Sequence, residues 1–393
     1  MIELEFIDEN NSYNELAHGY WQLDENDKFI YTIKQLQSKY NLKQSEVLKI
    51  VKVAVIAYNM DTCCSKCGSG RICNSRSDYT SSYFSNSWVC QDCINNEKQI
   101  LIENKKETLA SCKLKEKKSI YDLSVIDLAY LVTLIKHSSY SNGVTIDNVV
   151  SDKSYLLTPS IEFDRELLRV IDNKNICILS DKNPLSNLKE NEHGGYSYNP
   201  FNILRDVWVD VYNGIGDLDV LETILIDKIK ANSEDFFELL EEISVNECLS
   251  YMKLNVEKRS LSITLSDRSE ILIKKMLIVR PVNVIFGIIY GSITQTSDYI
   301  LQNNGTFKSR NESYIAGVLY NKIENYFERA LANNWSLKPY NRDFNLPQSS
   351  LSRLLFNTIL KTDDGGFSQN IYELYNEFIQ SNDIDRTQNI MQT

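Results

Sequence analysis

Apolar positions along this chain recur mainly at three- and four-residue spacing, which predicts helices with few strands. In residues 28–40, Phe29, Ile30, Ile33 and Leu36 share one face. Asn41 interrupts the pattern, and Val47, Leu48, Ile50 and Val51 carry a second helix from Ser45 to about Asn59. Residues 1–26 are polar and irregular apart from Tyr20 and Trp21, which are expected to anchor the segment to a later part. A long helix is predicted over about 92–113. Ser124-x-x-Asp127 has the form of a capping box and opens a helix through Leu128, Leu131, Val132 and Ile135. Thr158-Pro159 marks another start, with Phe163, Leu167, Leu168 and Ile171 on one face, and Ile176–Leu179 reads as a short buried strand.

From 201 to about 254 the period is helical again, with 218–229 and 233–243 the clearest stretches. Leu261–Leu265 alternates at period two and predicts a strand. Helices are predicted over 269–279, 281–301, 312–333, 349–360 and 371–379, followed by a polar, frayed tail. The expected fold is mostly α with minor β, in four parts: a helical hairpin over 1–60, a cysteine-rich segment with a basic connector over 61–119, a helical unit over 120–190, and a C-terminal helical domain over 200–393.

Cysteine spacing changes this picture most. Cys64-x-x-Cys67 and Cys90-x-x-Cys93 are two matched pairs separated by 22 residues. Each pair can wrap one edge of a metal ion in a tight turn, and Gly68 follows the first where a positive φ is needed. Four thiolates in a tetrahedron are the usual closed set for structural zinc. Cys64, Cys67, Cys90 and Cys93 are therefore the expected Zn2+ ligands, with neighbouring Cys63 and Cys73 as competitors for a place. A turn and strand before the second pair, at Trp88-Val89, and a helix growing from it resemble a treble-clef or zinc-ribbon finger over residues 61–95. That resemblance implies a fold, not a function.

Three features point toward nucleic acid. The stretch Gln35–Ile50, turning at Asn41-Leu42, resembles a helix-turn-helix, which would offer Lys43, Gln44, Glu46 and Lys49 to a major groove. Between the cysteine pairs, Arg71 and Arg76 stand among Tyr79, Tyr83 and Phe84, a mixture suited to phosphate contact and stacking but also to a protein surface. Lys113, Lys115, Lys117 and Lys118 form a linker or a phosphate-facing edge. In 120–190 the run helix, loop, helix, strand resembles a winged helix, which implies protein contact as readily as DNA binding.

The chain's formal charge is −11, yet residues 61–120 hold ten Lys/Arg against seven Asp/Glu. A globally acidic protein is not a non-specific nucleic-acid coat, although a local basic patch can still bind phosphate. No segment approaches the roughly 18 consecutive apolar residues of a membrane span; Val282–Ile293 reads as a core helix. Nine cysteines behind a start with no basic, apolar leader imply a reducing, cytoplasmic setting. The abundance of Asn, Lys, Ile, Tyr and Ser fits an AT-rich bacterial or phage genome and hence a phage-defence or mobile-element component.

Little in the sequence signals catalysis. His18, His137 and His193 have no metal spacing with one another, and no phosphate-binding loop, His-Glu-x-x-His or Gly-x-Ser-x-Gly motif occurs. His193, beside Gly194 and Gly195, is the one histidine in a loop. Asp206, Asp210, Asp217 and Asp219 offer a magnesium cluster for a metal-dependent nuclease, Asp206 and Asp210 sharing a face if helical. Trp335, Lys338, Tyr340, Arg342 and Asp343 gather in a loop between two helices. The expectation is a zinc-binding, nucleic-acid-associated (DNA or RNA) or complex-forming factor rather than an enzyme. The alternatives are a protein-interaction adaptor and the nuclease, and self-association stays open.

Overall fold

The computed structural model describes residues 1–81, 88–138, 140–141, 145–147, 149, 156–192, 195–210, 218–304 and 311–391. The chain divides into two compact units, Met1–Lys105 and Lys106–Thr393. It is mostly helical with small sheets, as the apolar period predicts.

The N-terminal unit begins with a strand where irregular chain was expected. Ile2, Leu4 and Phe6 alternate with Glu3 and Glu5, so β1 (Ile2–Phe6) presents one half-buried apolar face and one exposed acidic face. Three helices follow: α1 (Asn14–Trp21), α2 (Ile33–Tyr40) and α3 (Gln44–Ala54). Thr32 caps α2 in a box with Gln35, and Asn41 ends it in the left-handed region at φ 53°. The Glu46 carboxylate accepts the Lys43 N–H at 2.7 Å and so starts α3.

That helix stops at Ala54, five residues short of the expected end. Val55 and Ala57 are buried at alternate positions, and β2 (Val55–Cys63) satisfies its backbone between β1 and β3 (Gly70–Cys73) in the antiparallel order β1-β2-β3. The pairing breaks register between Asn59 and Cys63: Asn59 faces Arg71 while Cys63 faces Gly70. A Cβ on Gly70 would lie 2.6 Å from Met60 Sδ and 3.1 Å from Tyr58 Cβ, so any larger residue opposite this bulge would have to displace the Met60 side chain. Leu16, Tyr20, Trp21, Leu36, Val47 and Val51 form the core between helices and sheet, and Tyr20 and Trp21 anchor their segment as expected. A short helix, α4 (Arg76–Thr80), and a long one, α5 (Gln91–Cys112), complete this part, the unit boundary falling within α5.

The C-terminal unit has a far larger core. After β4 (Lys118–Ser119), α6 (Val125–His137) is buried almost all round, its start capped by Ser124 Oγ accepting the Asp127 N–H at 3.1 Å. Strands β5 (Tyr140–Ser141) and β6 (Thr145–Ile146) precede α7 (Ile161–Asn173) and β7 (Cys177–Leu179). The cap of α7 is Ser160, two residues beyond the expected Thr158. Thr158 instead donates through its N–H and its hydroxyl to the buried Asp164 carboxylate, both at 2.6 Å. Two short hairpin strands, β8 (Lys189–Glu190) and β9 (Tyr196–Ser197), lead to β10 (Arg205–Val207) and β11 (Val209–Asp210). Residues 205–210 are thus strand, not helix; β10 closes the sheet β5-β6-β10-β7, and β11 pairs with β4.

Helices α8 (Leu218–Ala231), α9 (Ser233–Glu257), α10 (Asp267–Leu277), α11 (Val282–Asn304) and α12 (Glu312–Ala332) then pack around Phe236, Met252, Phe286 and Phe327. Leu261–Leu265 is not a strand. Its alternation is real, but the Ser262 and Thr264 hydroxyls donate to the Glu312 carboxylate at 2.7 and 2.8 Å rather than facing a partner strand. The helix expected over 349–360 starts as α13 (Ser350–Ser352) and widens into a π-helix over Arg353–Ile359. α14 (Ile371–Met391) continues well beyond the expected end at 379.

Candidate metal centre

The β2–β3 hairpin and the start of α5 bring four sulfurs together. Cys64 sits where the hairpin turns: the Gly68 N–H donates to Cys64 O at 2.9 Å, and the Cys64 N–H to Ser69 O at 2.8 Å. This closes the Cys64-x-x-Cys67 turn, with Gly68 at φ 75° as its spacing requires. The second pair arrives by another route. Trp88-Val89 is irregular chain, not the expected strand, but Trp88 O accepts the Ser65 N–H at 2.9 Å and so lays this segment against the first turn. The Ile94 N–H donates to Cys90 O at 3.1 Å as α5 begins, so Cys90 and Cys93 face the hairpin from one helical turn.

The four Sγ atoms lie within 4.8 Å of one another, Cys67 and Cys90 at 3.7 Å. A tetrahedral ion with Zn–S bonds of about 2.3 Å requires sulfurs about 3.8 Å apart, so the cluster can hold a metal ion with little movement. Cys63 and Cys73 take no part. Cys63 Sγ donates to Met60 O at 3.1 Å, and Cys73 is buried in the core with its Sγ 3.7 Å from Arg71 O. Among the described residues this is the one group of three or more His, Cys, Asp or Glu side chains placed to hold a metal.

Backbone amides surround these sulfurs. Cys64 Sγ accepts from the Cys90 N–H at 3.3 Å and the Lys66 N–H at 3.5 Å, and Cys90 Sγ from the Cys93 N–H at 3.4 Å. The Cys90 N–H, then the Cys67 N–H, hold the Cys64 thiol down to about 6. Ser69, through hydroxyl and amide, lowers Cys67 as well. Cys93 moves the other way, pushed up to about 12 by its contacts with the Cys90 and Cys67 sulfurs. Four thiols this close cannot all ionise unaided, and a divalent cation is what relieves the repulsion. Lys66, ion-paired with Glu97, adds a positive charge at the rim. Ser69 and Lys66 escape the cysteine-spacing argument because their part depends on the fold of the turn.

The basic residues singled out from the sequence are scattered. Arg71 is buried, and its Nη2 donates to Asp78 O. Arg76 is an internal strut: Nη1 donates to Tyr31 O at 2.6 Å, Nε to Tyr20 O at 2.8 Å, and the guanidinium lies 4.4 and 4.3 Å from the Tyr20 and Phe29 ring centres. Lys113 pairs with Asp181 at 2.6 Å, Lys115 donates to Asn175 Oδ1 at 2.6 Å, and Lys117 lies over Trp208 and 3.7 Å from Asp210. All four connector lysines, Lys118 included, keep exposed side chains. Lys43, Gln44, Glu46 and Lys49 are likewise exposed, at the start and along the outer face of α3.

The acidic cluster does not assemble among the described residues. Asp206 is buried on β10 and accepts from Thr145 Oγ1 at 2.8 Å, whereas Asp210 is exposed on β11 in another sheet. Their supposed helical spacing is absent. Tyr83, Phe84, His193 and Asp217 lie outside the described residues. Among the described residues, no helix is long and apolar enough to cross a membrane. The chain matches no protein-family model, no curated protein and no solved structure.

Proposed function

We propose that the chain is a zinc-binding, complex-forming factor whose N-terminal unit is stapled by a structural ion on Cys64, Cys67, Cys90 and Cys93. The closed four-sulfur set carries this reading. It leaves no coordination position for water or substrate, which is the arrangement of a structural rather than a catalytic zinc. Zinc is the metal of choice because four thiolates in a tetrahedron suit it and iron–sulfur chemistry best. Metal analysis of protein purified without added metal distinguishes the two: zinc near one per chain with no visible absorption supports the reading, and iron or no metal overturns it. Pull-down from the native host then tests for a partner.

A second reading, nucleic-acid association, is favoured by the exposed face of α3 behind a capped two-helix turn and by the exposed lysines of 113–118. Arg71 and Arg76 no longer support it. Binding to DNA or RNA that falls steeply with salt, and weakens on Lys43→Gln/Lys49→Gln or on neutralising the 113–118 lysines, is its signature. The nine cysteines carry no disulfide, which accords with a reducing cytoplasm. A place in a phage-defence or mobile-element system stays with the coding bias that first raised it.

A further inference from the structure

In the C-terminal unit, the end of α9, the middle of α11 and the extended segment 338–343 enclose an open cleft of ≈ 650 Å³. That volume lies in the range of small-molecule sites. Three tyrosines line it. Tyr290 on α11 and Tyr340 on the segment stand 5.3 Å apart with rings inclined at 40°, a wedge rather than a closed stack. Tyr251 on α9 is backed by Phe286 in a parallel stack at 3.8 Å. Asn255, 3% exposed, adds a buried amide to the lining.

Two cations and one carboxylate share this lining, so it is locally positive in an acidic chain. Arg259 is fixed by Thr294 Oγ1 at 2.8 Å and lies 4.6 Å from the Tyr290 ring centre. Lys258 pairs with Asp343 at 2.6 Å yet keeps a side chain 41% exposed, within reach of an incoming anion. Cations at a helix C-terminus also complement its dipole, and Arg259 Nη1 donates to Asn255 O at 3.5 Å, so helix capping accounts for part of the placement of both Lys258 and Arg259. Capping alone does not account for a guanidinium 4.6 Å from a tyrosine ring centre in the lining of an open aromatic cleft.

The wall is built to stay in place. A Cβ on Gly287 would lie 2.8 Å from Lys338 O and 3.1 Å from Tyr340 Cδ2, so glycine lets the segment lie directly on α11. The Tyr340 N–H donates to Asn283 O at 3.0 Å. On the opposite side of the segment, Arg342 pairs with buried Glu247 at 2.9 Å, whose other oxygen accepts from Ser352 at 2.9 Å. Asn341 and Asp343 thus face the cleft while Arg342 between them ties the segment to the core. A preformed wall spares a ligand the cost of ordering it.

We propose that this cleft binds a nucleotide, its base stacked against the tyrosines that line it and its phosphate at Lys258 and Arg259. Aromatic faces accept any base by stacking, and two adjacent cations take the phosphate. The site lies wholly within the C-terminal unit and does not rest on the zinc reading.

The test is calorimetric titration of the full chain with adenosine and cytidine monophosphates, with adenosine and ribose 5-phosphate as the phosphate-free and base-free controls. Saturable binding of a monophosphate is expected, weakened roughly tenfold or more by Tyr340→Ala and by Lys258→Gln, with both controls weaker. Lys258→Gln alters an exposed side chain and keeps the fold, and thermal melting checks Tyr340→Ala. Binding should persist in Cys67→Ser protein, which separates this site from the metal. Absence of saturation with either monophosphate, ribose 5-phosphate binding as well as a nucleotide, or affinity unchanged in both variants overturns the proposal.

Discussion

The two units bury apolar surface by different means. The C-terminal unit closes around long helices whose cores, from Leu128 on α6 to Phe327 on α12, merge into one continuous cluster. The N-terminal unit has four short helices, the first part of α5 and a three-stranded sheet, and its core stops at the near end of the β2–β3 hairpin. Among the described residues, the hairpin tip and the start of α5 meet through the four cysteines, Trp88 O and the Lys66–Glu97 pair. Small domains with little core depend on staples, and large ones do not.

Removing the metal should separate the units most sharply. Structural zinc contributes roughly 10–16 kcal/mol in isolated finger peptides, so chelation, or Cys64→Ser or Cys90→Ser, should abolish hydrogen-exchange protection around the hairpin tip and the first turns of α5. Protection in α9 and α11 should be unchanged. Equal loss in both units would erase the distinction.

Arg76 is the second staple of the N-terminal unit. Arg76→Leu removes its bonds to the Tyr20 and Tyr31 carbonyls and its aromatic contacts; charged hydrogen bonds and partly buried cation–π contacts together suggest a loss of about 3 kcal/mol. Arg76→Lys should not restore it, because an ammonium cannot span the same acceptors. Urea melts followed through Trp21 fluorescence measure both. Nucleic-acid affinity that fell with stability unchanged would instead make Arg76 a contact residue.

The C-terminal unit has a pH signature of its own. Burial raises the Asp164 carboxyl to about 6, against hydrogen bonds from Thr158, and its Oδ2 is buried without a partner. A folded pKa above the unfolded value means stability that is full below about 4 and is lost as pH rises through about 6, up to about 3 kcal/mol. Asp164→Asn keeps an acceptor for Thr158 and should flatten the difference in urea midpoint between pH 4 and 7. A wild-type profile parallel to that of the variant would exclude the effect.

Gly68→Ala is the smallest of these changes. Nothing lies within 4 Å of the added Cβ, so only the strain of φ 75° remains, about 1 kcal/mol. Zinc affinity should fall by about tenfold or less in competition with a colorimetric chelator, and a larger loss would show that the turn cannot hold the cysteines in place without glycine.

The four clustered cysteines were legible because the two matched pairs favour them, although spacing left Cys63 and Cys73 as competitors, and most helices because Leu128, Leu167 or Leu239 recur at helical period over long runs. Other features needed the third dimension. The alternation of Ile2, Leu4 and Phe6 was a readable strand signal hidden by its acidic partners. The end of α3 was not readable, since Val55 follows Ala54 with no glycine or proline to stop a helix; only the partner strands do so. Arg76 looks the same in sequence whether it faces solvent or is stacked between Tyr20 and Phe29. The buried Arg205–Asp172 pair, at 2.8 Å, and the cleft tyrosines join residues too distant in sequence for any local pattern to associate.

The bulge at Met60–Thr62 divides the hairpin in two. Upstream of it, strand alternation fixes which side chains enter the core; downstream, turn geometry fixes which sulfur enters the cluster. Met60 and Asp61 are themselves held there, the Met60 N–H by Met1 O at 3.0 Å and the Asp61 N–H by Asn59 Oδ1 at 2.9 Å, so the bulge is a fixed joint between two rules of placement. The exposed thiol of Cys63 stands one position from the clustered Cys64. Core and sulfur cluster therefore answer to separate local constraints on either side of one short segment.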